Sequence, residues 1–424
     1  MIEKISRLLK SVNNLITSEE FIEKHRINQK CFNRNRKFNF KDIILFLLSQ
    51  PQKSLSVALS DYIDSSNLAI DSISKQAFSK ARFKIKPDAF REIFLMTTDV
   101  NKTRSNYNTW NGHPVLAIDG TSLQIPNTKE NQTYFGSKKN QYDPVALASA
   151  SALYDVLNDN LLNTKLVHYR TSELVQAETL IDEFNLNQVH GEKAPIIIFD
   201  RGYPSRKLYA QLQEKQCFFV MRHKTKSHGA LKAVYQCNYG DTSIQYSHND
   251  CSYPLRVIKF DLPSGLQETL VTNLFDPTIT VEMFKELYFI RWGIETKYRE
   301  VKSILKLENF MGIKPEAIEQ EFYAAMFASN LLSMFTSVCN EEISNIQQET
   351  KKTTCYKTNR NILVNYLFNK LYTLICNYRI AKKVINNLIK IGIKNRSQVR
   401  TNRSYERKKM RSRMKFSQNT KSTL

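Results

Sequence analysis

Two short apolar runs constrain this 424-residue chain more than any other feature. Pro114–Ile118 (PVLAI) runs into Asp119-Gly-Thr-Ser, and Leu123–Pro126 continues it. Ala194–Phe199 (APIIIF) ends at Asp200-Arg-Gly-Tyr. A β-rich run without polar alternation fits a strand buried on both faces, as in parallel sheets covered by helices. Ser172–Leu186 and Ser205–Lys215 read as helices, and Cys217–Arg222 as a further strand. Leu147–Tyr154 and Leu161–His168 alternate like paired strands around an Asn158-Asp-Asn turn. The pattern predicts an α/β sheet core. Asp119 and Asp200 then stand at strand ends, the edge where such sheets bind ligands. A plain turn aspartate is the bland alternative for each alone.

The flanks read differently. Residues 1–100 are helical in pattern, with Thr17-Ser-Glu-Glu20 as a capping box and Phe40–Ser49 as an apolar helix stopped by Pro51. Ser54–Ile63 is another helix. It is followed by the basic segment SISKQAFSKARFKI, in which Lys75, Lys80 and Arg82 stand among Phe78 and Phe83. Two short helices and a basic third suggest a helix-turn-helix-like DNA-binding unit, against the alternative of an ordinary solvated helix. Short alternating segments in 223–275 predict a β-rich insertion. Glu282–Leu307, Pro315–Cys339 and Ile362–Ile391 read as helices, with 340–360 polar and loose between the last two.

Charge narrows the function. The chain has 62 Lys+Arg against 40 Asp+Glu, a formal +22. The last 43 residues, 382–424, hold 14 basic residues and one acidic. A basic tail on a near-neutral body points to a polyanion, with nucleic acid the foremost candidate and a solubilising tail the alternative. The seven cysteines are odd in number and scattered, without CxxC, which argues against a disulfide framework and a zinc site. The histidines form no HxxxH or HxxH cluster, and no serine stands in GxSxG. Asp143, Asp155 and Asp159 read as solvated or turn-forming loop acids. The strongly apolar run Ile43–Leu48 is far short of the ~20 residues of a membrane span, so no membrane partner is expected. The N-terminus MIEKISRLLK lacks a signal peptide's apolar core, and a cytoplasmic protein is expected.

A third position supplies more chemistry. On one continuous helix over Glu282–Leu307, at about 100° per residue, Tyr288, Arg291, Glu295, Lys302 and Lys306 fall within an arc of about 60°. Trp292 stands beside that stripe. The alternative is a salt-bridged surface helix. Asp119, Asp200 and Glu295 together are the hard oxygen donors that select Mg²⁺ or Mn²⁺. Two such ions ~3.5–4 Å apart activate a water or 3′-OH and stabilise the leaving oxygen of a phosphodiester. Arg291 and Lys302 suit the flanking phosphates, one as a fork and one as a point charge. Arg201 is a candidate partner of Asp200 or of phosphate.

The segment Tyr288-x2-Arg291-x3-Glu295-x6-Lys302 resembles the signature of bacterial insertion-sequence DDE transposases of the insertion-sequence-4-like group. DGTSL at 119–123 and FDRGYPS at 199–205 resemble that group's first and second Asp motifs, and SKQAFSKAR at 74–82 its N-terminal segment. The resemblance spans about residues 40–340 in the same order. It implies an RNase H-like catalytic core (106–222 and 276–340) with a β-rich insertion (223–275). A helical N-terminal DNA-binding domain (1–105) precedes the core, and C-terminal helices with the basic tail (341–424) follow it. It implies cut-and-paste transposition, with Asp119, Asp200 and Glu295 binding two Mg²⁺, Mn²⁺ substituting. Tyr288, Arg291 and Lys302 match the signature residues that contact DNA backbone, and Trp292 would stack on a displaced base or else lie in the core. The implied partners are double-stranded DNA, as inverted repeats and target, and a second copy of the chain on that DNA. A nuclease of the same core without strand transfer, and a relative that only binds DNA, remain as alternatives.

Overall fold

The computed structural model describes all residues except 35, 36, 51, 52, 67, 69, 100–106, 140–142, 187, 188, 190, 225–231, 350–353 and 400–424. Pro51 and most of the basic tail therefore lie outside the described residues.

Six helices open the chain: α1 (Ile2–Thr17), α2 (Glu19–His25), α3 (Phe40–Leu48), α4 (Leu55–Ser66), α5 (Lys75–Arg82) and α6 (Asp88–Asp99). Then come β1 (Val115–Gln124), α7 (Lys129–Tyr134), β2 (Ser137–Lys139), β3 (Pro144–Asp155), β4 (Asn160–His168), α8 (Glu173–Glu183), β5 (Ile196–Phe199), α9 (Arg206–Glu214) and β6 (Phe218–His223). The expected β-rich stretch holds α10 (Lys232–Gln236), β7 (Gly240–His248), β8 (Cys251–Asp261) and β9 (Gln267–Thr272). The chain closes with α11 (Val281–Ile290), α12 (Trp292–Ser303), α13 (Pro315–Glu349), β10 (Tyr356–Thr358), α14 (Arg360–Asn369), α15 (Leu371–Cys376), α16 (Tyr378–Lys394) and β11 (Arg396–Gln398).

These elements group into two compact units. One comprises Met1–Val100, Leu123–Ala148 and Glu300–Leu424; the other comprises Asn101–Ser122 and Ser149–Arg299. The units cut across the expected domain boundaries: 123–148 and 300–340 group with the helical flanks, and 232–275 with the sheet.

In the sheet unit, β1, β5 and β6 are parallel neighbours. β9 then pairs antiparallel with β6, β8 with β9, and β7 with β8. The strands of the expected insertion thus extend the core sheet. Side chains alternate across β5: Ile197 and Phe199 pack with Leu180 of α8 and Leu208 of α9, while Ile196 and Ile198 pack with Phe284 and Leu287 of α11. Period-two alternation of wholly apolar residues buries both faces of the strand, which is why IIIF carries no polar position.

In the helical unit, α13 packs against α3, α6 and α16. It is long and apolar enough to cross a membrane, yet 94% of its apolar window is buried inside the protein. It runs ten residues past Cys339, through half of the stretch expected to be loose. Ile362–Ile391, expected as helical, is divided among α14, α15 and α16. α2 is capped by Ser18, whose side chain accepts from Phe21 N; the expected Thr17 instead donates back to Asn13 O. α5 buries Phe78 against Phe38 and Phe46 and leaves Lys75 and Lys80 exposed.

The same helix corrects one expectation. Arg82 is buried, 2% exposed, and does not face solvent. Its Nε donates to Gln320 Oε1 (2.9 Å), its Nη1 to Glu321 Oε1 (2.9 Å) and its Nη2 to the Ala317 carbonyl (3.1 Å). A buried guanidinium persists only when paired and hydrogen-bonded, and this one is engaged inside the protein rather than on DNA.

Candidate active site

The register of β1 on β5 brings the two aspartates together. Val115 pairs with Ile196, Leu116 with Ile197 and Ala117 with Ile198. Continued two residues further, the same register would bring Asp119 level with Asp200, the first residue beyond β5, adjacent parallel strands lying ~4.8 Å apart. Asp119 Oδ1 accepts from the Gly120 amide at 2.9 Å. Asp200 Oδ1 accepts from the Tyr288 hydroxyl at 3.1 Å and lies 4.0 Å from Arg222 Nη1.

Glu295 arrives on α12, which is tied to the sheet at three points. Tyr298 donates its hydroxyl hydrogen to the Asp119 carbonyl at 2.8 Å. The buried Lys297 ammonium stands 3.0 Å from Asp159. Gly293 lets the helix approach closely, since a Cβ there would come 2.5 Å from Val156 Cγ1. Asp159 is therefore an ion-pair partner as well as a turn residue. Asp155, expected to be solvated, is buried and accepts from Tyr107 Oη (2.5 Å) and Asn158 Nδ2 (3.0 Å). Burial raises its carboxyl to about 6 against those hydrogen bonds.

The expected single helix over Glu282–Leu307 is two. Arg291 N bonds to Tyr288 O and Ile294 N to Arg291 O, i→i−3 steps that tighten the chain between α11 and α12. α12 ends at Ser303, and Lys306 beyond it has φ of 49°, so Lys306 leaves the predicted stripe. Lys302 belongs to the helical unit, where its Nζ is 3.6 Å from Glu308 Oε1.

Tyr288 contacts Asp200 and Arg291 faces Asp119, while Glu295 is held by Arg291. Arg291 is 3% exposed; its Nη2 donates to Glu295 Oε1 at 2.9 Å and its Nη1 lies 3.6 Å from Asp119 Oδ2. Its Nε and Nη1 are buried without a hydrogen-bond acceptor. The guanidinium also lies 5.7 Å from the Tyr288 ring centroid and 5.3 Å from that of Trp292. Trp292 is 42% exposed, and Arg201 is exposed. Burial raises the Asp119 carboxyl to about 6; the Gly120 amide and Arg291 oppose the rise, and the Glu173 and Glu295 charges add to it. Burial also raises the Tyr288 hydroxyl, with the Asp200 charge adding.

Three neighbours went unforeseen. Arg222 at the end of β6 pairs through Nε with Glu268 Oε1 of β9 at 2.5 Å. Burial raises the Glu268 carboxyl, and Asp200 repels it further. Glu173, first residue of α8, lies beside Gly120 and Gly202. In sequence these read as a strand-end base, a strand acid and a helix-cap neighbour.

Among the described residues, no three His, Cys, Asp or Glu side chains stand close enough together to hold a metal ion as placed. Arg291 supplies the positive charge bonded to Glu295 and facing Asp119. The donor set fits a hard divalent cation in its chemistry, since every candidate ligand is a carboxylate.

The sequence pattern of the Transposase DDE domain family matches residues 110–331, a span that contains Asp119, Asp200 and Glu295. The chain is 22% identical over 277 residues to transposase InsG for insertion sequence element IS4 of Escherichia coli (strain K12), covering 61% of this chain and 60% of that one. It is 27% identical over 146 residues to the probable transposase for insertion sequence element IS5377 of Geobacillus stearothermophilus, covering 32% and 38%. The chain thus spans less than two thirds of either relative's own length. Among solved structures, the piggyBac transposase synaptic complex with hairpin DNA aligns with a TM-score of 0.46 and 14% identity, over 93% of this chain and 82% of that one.

Proposed function

The chain belongs to the Transposase DDE domain family, and from that premise we propose that it is an insertion-sequence transposase that cleaves DNA strands and joins the freed ends to target DNA. Asp119, Asp200 and Glu295 are its catalytic carboxylates in this reading. The observation that carries it is the β1–β5 register, which supports two carboxylates on adjacent strand ends.

Asp119, Asp200 and Glu295 would hold two Mg²⁺ ions, or Mn²⁺, which supply activation of a water or 3′-OH and charge stabilisation at the leaving oxygen. The protein's own groups prepare the site. The Tyr288 hydroxyl fixes the rotamer of Asp200. Arg291 orients Glu295 and offsets the charge of Asp119 and Glu295 from a buried position. Lys302 supplies a point charge to the backbone. Trp292, half exposed, offers a face for a displaced base. Arg201 serves a flanking phosphate, and Lys75 and Lys80 contact DNA from the exposed face of α5.

In this reading an RNase H-like core, 106–222 and 276–340, carries the chemistry. The helical regions 1–105 and 341–424 recognise inverted repeats, and two copies pair two DNA ends. The same reading expects a cytoplasmic, nucleoid-associated protein. The test is DNA cleavage by Asp119→Ala. Retained binding to DNA carrying the element's ends with loss of cleavage fits the proposal; cleavage at the wild-type rate contradicts it.

A further inference from the structure

Helix α16 has two unlike faces. Ala381, Ile385, Leu388, Ile389 and Gly392 are buried, and the helix packs against α1, α13, α14 and α15. A Cβ on Gly392 would stand 2.4 Å from Cys339 Sγ, so the glycine lets α16 seat closely on α13. The outer face is cationic. Arg379, Lys382, Lys383, Lys390 and Lys394 are all exposed. At about 100° and ~1.5 Å per residue they fall within an arc of about 120°, in a row ~22 Å long.

This row is not neutralised from within. The sequence holds no acidic residue from 350 to 405. Among the described residues, none of these cations has an ion-pair partner. A salt-bridged surface helix sets acid against base at i and i+4. Here Arg379 and Lys383, and Lys390 and Lys394, are like charges at that spacing, which destabilises a helix. Lys10 of α1 extends the charge, its Nζ lying 5.8 Å from the ring centroid of the exposed Tyr378. A polyanion relieves such repulsion. A lipid surface is the poorer fit, because an interfacial helix inserts its apolar face and that of α16 is already buried inside the protein. Resting on the transposase reading above, we propose that the outer face of α16 docks the phosphate backbone of double-stranded DNA. Phosphate contacts position a duplex without reading its bases.

The test is duplex binding by the full-length protein, titrated with salt, for wild type and for Lys382→Gln, Lys383→Gln and Lys390→Gln combined. Two duplexes are compared, one carrying the element's ends and one of unrelated sequence. All three side chains are exposed, so thermal melts should stay at or above the wild-type value. Each lost phosphate contact is expected to lower the slope of log affinity against log salt by about 0.9, a total of about 2.7. The loss should be equal on the two duplexes, and the same three lysines changed to Arg should keep the wild-type slope. If the Gln variant keeps that slope, the face is merely solvated; the proposal fails and the transposase reading stands. A loss confined to the duplex carrying the ends would make the face a base reader and overturn the backbone assignment. Weaker binding to phosphatidylserine vesicles with DNA binding unchanged would make the partner a lipid surface and overturn it too. If wild type binds neither duplex, the transposase reading fails, and this proposal with it.

Discussion

Arg291 donates from Nη2 to Glu295 Oε1 at 2.9 Å, at the joint where α11 gives way to α12. The same guanidinium faces Asp119 at 3.6 Å, so one cation links two of the three proposed catalytic carboxylates. Lysine at 291 keeps the charge and loses the planar fork. Arg291→Lys is expected to slow single-turnover cleavage on the order of a hundredfold, with a smaller effect on DNA affinity. An unchanged rate would remove Arg291 from the site's machinery.

At Gly293, α12 approaches Val156 in the turn that follows β3. Alanine there meets Val156 Cγ1 at 2.5 Å. Such overpacking costs about 1–3 kcal/mol, and it would push the helix carrying Glu295 outward. Gly293→Ala should lower both stability and cleavage, and adding Val156→Ala should restore part of each. A double-mutant cycle in chemical denaturation measures the coupling; strict additivity would count against the close approach.

Arg82 and the two lysines of its helix should behave in opposite ways. Arg82→Ala strands Glu321, which also accepts from Met311 N and Gly312 N, and is expected to cost about 3–5 kcal/mol. Lys75→Ala and Lys80→Ala, both exposed, should change stability by less than about 0.5 kcal/mol. Each should lower the slope of log affinity for DNA against log salt by about 0.9. If Arg82→Ala folds with wild-type stability and only weakens DNA binding, the buried assignment fails.

Asp155 gives a pH signature. Its carboxyl is raised from the ordinary 3.8 to about 6, chiefly by burial. The folded state therefore holds the proton more tightly than the unfolded chain. The stability this contributes is fully present below pH 3.8 and is lost as pH rises through about 6. Asp155→Asn stays neutral throughout and can still accept from Tyr107, so it should gain on wild type by up to about 3 kcal/mol over that window. Urea denaturation at pH 4 and pH 7 checks the sign; a gap that shrinks as pH rises would reverse it.

How far the sequence could be read depended on how local each determinant is. IIIFD and VLAID announce themselves because an apolar strand and its terminal acid are contiguous, and the register then aligns Asp119 with Asp200. The break at Arg291 accompanies Gly293 meeting Val156, a packing event that a helical wheel does not see. Arg82 read as a surface base because its partner Glu321 is 239 residues away. Asp155 read as a loop acid because its burial depends on Tyr107, 48 residues earlier. Glu173 was hidden in plain helix-start chemistry, since an acid after a serine cap is ordinary in a first turn.

The central claim is that Glu295 completes a metal-dependent set with Asp119 and Asp200. The most direct test is strand cleavage of DNA carrying the element's ends by wild type and Glu295→Gln, each with Mg²⁺ and with Ca²⁺, alongside binding of the same DNA. Cleavage by wild type with Mg²⁺ alone is expected, lost in Glu295→Gln while binding is retained. Glu295→Gln cutting as fast as wild type, or wild type binding the ends without cutting in any divalent metal, would contradict it.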